Sequence, residues 1–229
     1  MKTIPYSDKT AKEIVGKLCA HVHWLVRVRH TFKVLFEDEQ PSCEALRKET
    51  APSFFADLNR ILQEYLLLEC AKITDPATTR KFENFTAAYV VQKITWPNDK
   101  QLTSMPDGDT DVLQKLESLR NTTQDFRGDI DCARNKLLAH LDKGAVLSGE
   151  PLGAFPEGKD KTFFEALQRI CIIAHEACFG KSRGEMSTVM CGDVIGLRKT
   201  LEFAVAFKVA LSESSPENRR WLYSCLEEA

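Results

Sequence analysis

Proline and glycine constrain this chain more than any other feature. The nine prolines stand at positions 5, 41, 52, 76, 97, 106, 151, 156 and 216, with long proline-free runs between them. A helix accepts proline in its first turn but not in its interior, so such runs are where helices fit. Before Gly108 the only glycine is Gly16. Nearly half the chain therefore lacks the residue that tight hairpin turns favour, which argues against an all-β or doubly wound fold.

The apolar pattern agrees. From the N-cap candidates Ser7 and Asp8 to about Asp38, Ile14, Leu18, Val22, Leu25, Phe32 and Leu35 recur at helical spacing and predict a long first helix. A second helix is expected after Pro52, on Phe54, Leu58, Ile61, Leu62, Tyr65 and Leu66, and Thr74-Asp75-Pro76 should stop it. The piece TAAYVVQKITW is rich in strand-favouring residues, but no second run offers it a partner, so a short helix is predicted. Residues 98 to 109 read as loop. From about Thr110 to Lys143, Leu113, Leu116, Phe126, Ile130, Leu137, Leu138 and Leu141 predict one very long helix, or two divided near Gly128, ending at Gly144. After the loop GEPLGAFPEGKD come stripes on Phe163, Leu167, Ile170, Cys171, Ala174 and Cys178, then on Val194, Leu197, Leu201 and Val205, and a last short helix near Pro216. The expected fold is an all-α bundle of about six or seven helices without internal repeats.

Charge restricts the partners. Lys plus Arg number 31 against 33 for Asp plus Glu, a formal charge of −2, so no broad positive field draws the protein to nucleic acid and any such contact must be local. With 43% hydrophobic and 28% charged residues, the composition is that of a globular protein. The eight cysteines are scattered through a chain too long for a disulfide scaffold, so reduced thiols are expected. No apolar run approaches a membrane span and the N-terminus has no signal-peptide pattern; a cytoplasmic protein is expected.

One segment carries a specific resemblance. Arg134-Asn135-Lys136-Leu137-Leu138-Ala139-His140 stands at the end of the long helical pattern, and LLLECAKITDPA closes the second. An arginine, a polar residue and a histidine at this spacing resemble the motif of the HEPN superfamily of ribonucleases and RNA-associated proteins. With the "A-x-I-T-D-P" helix end before it, the chain resembles the abortive-infection AbiU-type branch over about residues 10 to 145. The implied organisation is a single helical domain over 1–229, with a HEPN-like core at about 8–148 and helices of about 159–229 packed on it.

In one regular helix, six residues put Arg134 and His140 about 120° apart in azimuth and about 9 Å apart along the axis. They do not share a face. Either the helix ends or distorts near Gly144, or two copies pair across a twofold axis; the resemblance implies the second, a homodimer in which each copy offers one member to a joint cleft, so that two Arg134, two Lys136 and two Lys143 converge on RNA despite the near-zero net charge. The implied chemistry is metal-independent RNA cleavage by attack of the ribose 2′-OH on the adjacent phosphorus, with no cofactor. His140 would serve as general acid or base, Arg134 would hold a non-bridging phosphate oxygen, and Asn135 would orient the phosphate or the histidine. Lys136 and Lys143 would bind RNA. Asp131 and Asp142 stand nearby as helpers or as helix-face charges. In the alternative, Arg134 pairs locally with Asp131 or Asp142, His140 is a helix C-terminal residue favoured by the macrodipole, and the chain is a non-catalytic HEPN-like module that binds RNA, a nucleotide or a protein. In one branch of the superfamily a tyrosine two residues after the histidine is linked to modification by a partner nucleotidyltransferase; here Asp142 stands there. That departure weakens this route but leaves room for an antitoxin partner.

Two further clusters carry weaker chemistry. Cys171, His175 and Cys178 lie at i, i+4 and i+7, a sound spacing for three metal ligands with Cys191 as a distant fourth, yet both cysteines already belong to an apolar stripe. Cys19, His21, His23 and His30, interleaved with Arg27 and Arg29, read better as a solvated or partner-facing helix side than as ligands. No phosphate-binding glycine loop, nucleophile elbow or paired CxxC motif is present.

Overall fold

Asp8 opens the first helix: its carboxylate accepts a hydrogen bond from the Thr10 amide at 2.7 Å, which holds its pKa below the ordinary value. The structure, a computed structural model, describes residues 3–37, 41–98, 100–105, 109, 111–133, 158–181 and 192–216. In chain order these form β1 (Ile4–Pro5), α1 (Lys9–Phe32) with a π-helical continuation over Lys33–Glu37, α2 (Pro41–Thr50), α3 (Pro52–Ile73), β2 (Thr78–Thr79), β3 (Phe82–Glu83), α4 (Ala87–Lys93), β4 (Ile94–Thr95), α5 (Val112–Ala133), α6 (Lys159–Phe179) and α7 (Gly192–Glu213). The described residues thus hold seven α-helices, and the all-α expectation is met. None of these helices is long and apolar enough to cross a membrane.

Several elements differ from the expectations in instructive ways. The first helix is regular only to Phe32 and then widens into the π-helical segment. Periodicity does not mark α2; its signals are Pro41 at the first helical position, Glu44 in the first turn and Arg47 with Lys48 in the last. In α3 the expected stripe holds in part: Leu66 is buried and Leu58, Leu62 and Tyr65 are half-buried, but Phe54 and Ile61 are exposed, and Phe55, Leu67, Cys70 and Ile73 are buried instead. TAAYVVQ is helical, capped by Thr86, whose hydroxyl accepts from the Tyr89 amide at 3.1 Å. The following Ile94–Thr95 is extended and pairs in parallel with Ile4–Pro5, a partner too short to register as a strand in the sequence. Gly128 does not divide α5, which begins where the Asp111 carboxylate accepts from the Gln114 amide. In α7 the expected stripe holds at Val194, which is buried, but Leu197 is 42% exposed.

The chain divides into two compact units, and the divisions fall inside α1 and α3. The first contains Met1–Val28 and Gln63–Thr188. Its buried side chains include Val15, Leu18, Val22 and Leu25 of α1, Leu66 and Ile73 of α3, Leu116, Phe126 and Ile130 of α5, and Phe163, Leu167, Ile170 and Ile173 of α6. Phe126 stacks on Phe163 with centroids 4.4 Å apart, and Phe164 meets Phe163 edge-on at 5.2 Å. Such aromatic contacts fix the α5–α6 packing beyond what area burial supplies. Helix α6 therefore packs with α5 in the unit that contains most of α1, although the sequence suggested a place among appended C-terminal helices. Its C-terminus is closed by Gly180 at φ 69°, whose amide donates to the Glu176 carbonyl at 2.8 Å.

The second unit contains Arg29–Leu62 and Val189–Ala229. Leu35 and Val194 form its buried centre, with Val34, Phe36 and Leu58 against them. Arg47 of α2 donates to the Leu35 carbonyl and lies 5.4 Å from the centre of the Phe36 ring, so one side chain both satisfies a carbonyl of the π-helical segment and covers its aromatic residue.

Candidate functional site

The end of α3 shows what its Ala-Lys-Ile-Thr-Asp-Pro sequence does. Ala71 and Ile73 are buried. The Thr74 hydroxyl, also buried, donates to the carbonyls of Cys70 at 2.8 Å and Ala71 at 3.0 Å, satisfying groups that the helix terminus leaves open. The Thr74 carbonyl in turn accepts from the Gln124 side-chain amide of α5 at 2.7 Å. Asp75 pairs with Arg127 of α5 at 2.8 Å, and the same guanidinium lies 3.5 Å from Asp131 one turn on. The arginine and Asp75 side chains are only 16% and 21% exposed, so this pair is far less screened than an ordinary surface bridge. Thr74 and Asp75 thus clamp the last described turns of α5.

Beside the clamp lies a cavity of about 650 Å³ lined by Asp75, Pro76, Thr79, Arg80, Phe82, Asn84 and Arg127. Asn84 stabilises its rim: its side-chain amide donates to the Pro76 carbonyl at 2.8 Å and to the Thr79 hydroxyl at 2.7 Å. Arg127, flanked by two carboxylates, is electrostatically compensated, so the wall cation open to an anionic ligand is the exposed Arg80.

Arg134, Asn135, Lys136, His140 and Lys143 lie outside the described residues, as do Asp142, Gly144 and Cys191. The described part of α5 ends at Ala133, the residue before Arg134. Asp131, a candidate partner for Arg134, is within ion-pair distance of Arg127.

The metal alternative fares differently. Cys171 and Cys178 are buried, but His175 is engaged elsewhere, its Nδ1 lying 3.2 Å from the Lys181 carbonyl and its ring stacking on Phe179 with centroids 4.4 Å apart. Among the described residues no three His, Cys, Asp or Glu side chains converge as a metal site. The i, i+4, i+7 spacing does not bring Cys171, His175 and Cys178 together, because the cysteines serve the core. Burial pushes the Cys178 thiol up to about 11. The Cys19 thiol contacts the Cys171 carbonyl at 3.7 Å, and Cys19, Cys43, Cys70, Cys171 and Cys178 are all reduced thiols outside any disulfide. His21 pairs with Glu69 at 3.3 Å, and Trp24 donates to the Tyr65 hydroxyl at 2.8 Å. This stretch of α1 therefore docks on α3, a use of the histidine-rich helix that its polarity alone did not indicate.

Glu176 was also missed. Nearly fully buried, its carboxylate accepts from the Thr103 amide and hydroxyl, both at 2.7 Å, and from the Ser104 amide at 2.9 Å. Burial raises its pKa, but these hydrogen bonds outweigh it and hold the carboxyl below its ordinary value. With Lys100 donating to the Ala177 carbonyl at 3.0 Å and Arg169 donating to that of Ser104, the loop is moored to α6.

The AbiU2 family model, HEPN_AbiU2, matches residues 8–184. The chain belongs to this HEPN family. The match takes in the α3 end, the clamp on α5, the Arg134–His140 motif and all of α6, reaching beyond the core boundary near 148 that the motifs suggested. Neither a curated protein nor a solved structure matches the chain. AbiU2 membership places the clamp and the motif within one family unit.

Proposed function

We propose that this HEPN protein is a metal-independent endoribonuclease of the toxin or phage-defence type, acting in the cytoplasm as a homodimer. The observation that carries the reading is the family match across an Arg-Asn-Lys-x-x-Ala-His sequence that follows, in the chain, the last described residue of the clamped helix α5. Arg134 from one copy and His140 from the other form the reacting cleft. The ribose 2′-oxygen loses its proton and bonds to phosphorus, the bond from phosphorus to the 5′-oxygen breaks, and that oxygen leaves with a proton. His140 moves a proton in this sequence, Arg134 offsets the growing phosphorane charge, and Asn135 orients the phosphate. Lys136 and Lys143 hold the flanking backbone, and an antitoxin partner restrains the activity.

The purified full chain should cut RNA in EDTA. His140→Ala should lower the rate by about 100- to 10,000-fold and Arg134→Ala by at least about 100-fold, with unchanged far-ultraviolet circular dichroism. Cutting at the wild-type rate by both variants would overturn the assignment. RNA binding by the wild type without turnover would leave the non-catalytic module.

A further inference from the structure

The hairpin beside the cavity carries side chains that the cleavage chemistry does not use. Strands β2 and β3 pair antiparallel with Thr79 opposite Phe82, so Arg80 and Lys81 form a two-residue turn. Arg80 has φ 55° and is the one non-glycine residue at positive φ among the described residues. A hairpin turn with positive φ at its first central position favours glycine there, and a Cβ makes that backbone less stable. The arginine is exposed and makes no ion pair or hydrogen bond with the described residues. Phe82 follows, 65% exposed, with the Lys81 ammonium 5.6 Å from its ring centre. The neighbouring acids are occupied: Glu83 pairs with the buried Lys93, and Asp75 pairs with Arg127. Asn84 ties both ends of the hairpin together through Pro76 and Thr79. The result is a braced turn presenting two cations that no described acid neutralises, and an exposed aromatic ring, beside a 650 Å³ cavity.

We propose that this hairpin is a contact for single-stranded RNA, in which an unpaired base stacks on Phe82 and Arg80 and Lys81 meet the flanking phosphates. The inference deepens the ribonuclease reading and rests on it for the choice of RNA over another polyanion. An exposed ring flanked by cations suits single strands, because every base has a face to stack while a duplex hides those faces. Arginine in a glycine position is accounted for by its ligand and not by the turn.

The test is fluorescence anisotropy of labelled oligoadenylate, alone or annealed to its complement, on full-length His140→Ala protein, in which the strand persists. Phe82→Ala should weaken single-strand binding about tenfold and leave duplex binding unchanged, while Phe82→Tyr should retain it. Arg80→Gly should weaken binding and lower the slope of log affinity against log salt by about 0.7, yet raise the urea midpoint because the strain is relieved. That opposition of affinity and stability is a signature a purely structural arginine would not give. Unchanged affinity in Phe82→Ala and Arg80→Gly, equal loss on duplex and single strand, or no binding of the oligonucleotide would overturn the proposal. Wild-type protein that binds through the hairpin without cutting defeats the ribonuclease reading alone; wild-type cutting with hairpin variants that bind and cut normally defeats the hairpin alone.

Discussion

Replacing Glu176 by glutamine removes one charge and almost no volume, so its effect isolates the mooring of the 100–105 loop. Glutamine has a single acceptor oxygen. Placed at the Oε1 site it keeps the two Thr103 donors, but its amide nitrogen then faces the Ser104 N–H that now donates to Oε2. One charge-assisted bond is lost, about 1.5–3 kcal/mol, and the two Thr103 bonds fall from charge-assisted to neutral, roughly 0.5–1 kcal/mol each. The expected total is about 2.5–5 kcal/mol, or a melting point lower by roughly 10 °C for a chain of this size. The pH dependence gives a second handle. Because hydrogen bonding holds the folded carboxyl below its ordinary value of 4.5, its contribution is fully present above that pH and is lost as pH falls through the lowered folded value. Urea titrations from about pH 7 to about pH 3 should show the gap between wild type and Glu176→Gln narrowing as the pH falls below 4.5. A variant within about 0.5 kcal/mol of wild type at neutral pH, or a gap that stays constant with pH, would refute the reasoning.

Arg127→Ala should destabilise by about 2 kcal/mol, less than for a fully buried pair because both partners keep some exposure; a double-mutant cycle with Asp75→Asn should return a coupling of about 1–2 kcal/mol, and additivity would deny the clamp. With its thiol at about 11, Cys178 should alkylate on the order of 100-fold more slowly than a free cysteine at mildly alkaline pH. Peptide mapping by mass spectrometry after timed iodoacetamide treatment reads this directly, and labelling as fast as a free thiol would contradict its burial. Elemental analysis should find no equimolar metal held by Cys171, His175 and Cys178, since His175 is engaged with Lys181 and Phe179; a stoichiometric metal lost in Cys171→Ser would reverse that conclusion.

Fold class was legible because proline and glycine placement and long apolar periods act locally, and the helices respond to them even where tertiary contacts adjust the details. What escaped the sequence depended on contacts distant in the chain. Ile94–Thr95 becomes a strand only because Ile4–Pro5 lies beside it. Phe55 and not Phe54 is buried at the start of α3, a choice between adjacent aromatic residues that apolar spacing alone does not resolve. Glu176 lies off the apolar stripe read from the sequence, where a carboxylate looks like a helix-surface charge, and its partners are more than 70 residues away. At the candidate site, the Ile-Thr-Asp-Pro run was readable as a helix stop and as part of a family resemblance. Its clamp on Gln124 and Arg127 was not, because an isolated arginine on a helix gives no sign of the carboxylate it will meet.

The chemistry of the cut ends tests the central claim most directly. Attack by the 2′-oxygen leaves a cyclic phosphate on one fragment and a 5′-hydroxyl on the other, and it needs no metal. Wild-type protein incubated with RNA in EDTA should yield those two termini by mass spectrometry, and His140→Ala should yield neither above background. Fragments ending in 3′-hydroxyl and 5′-phosphate, cleavage abolished by EDTA, or no cleavage at all would contradict the account.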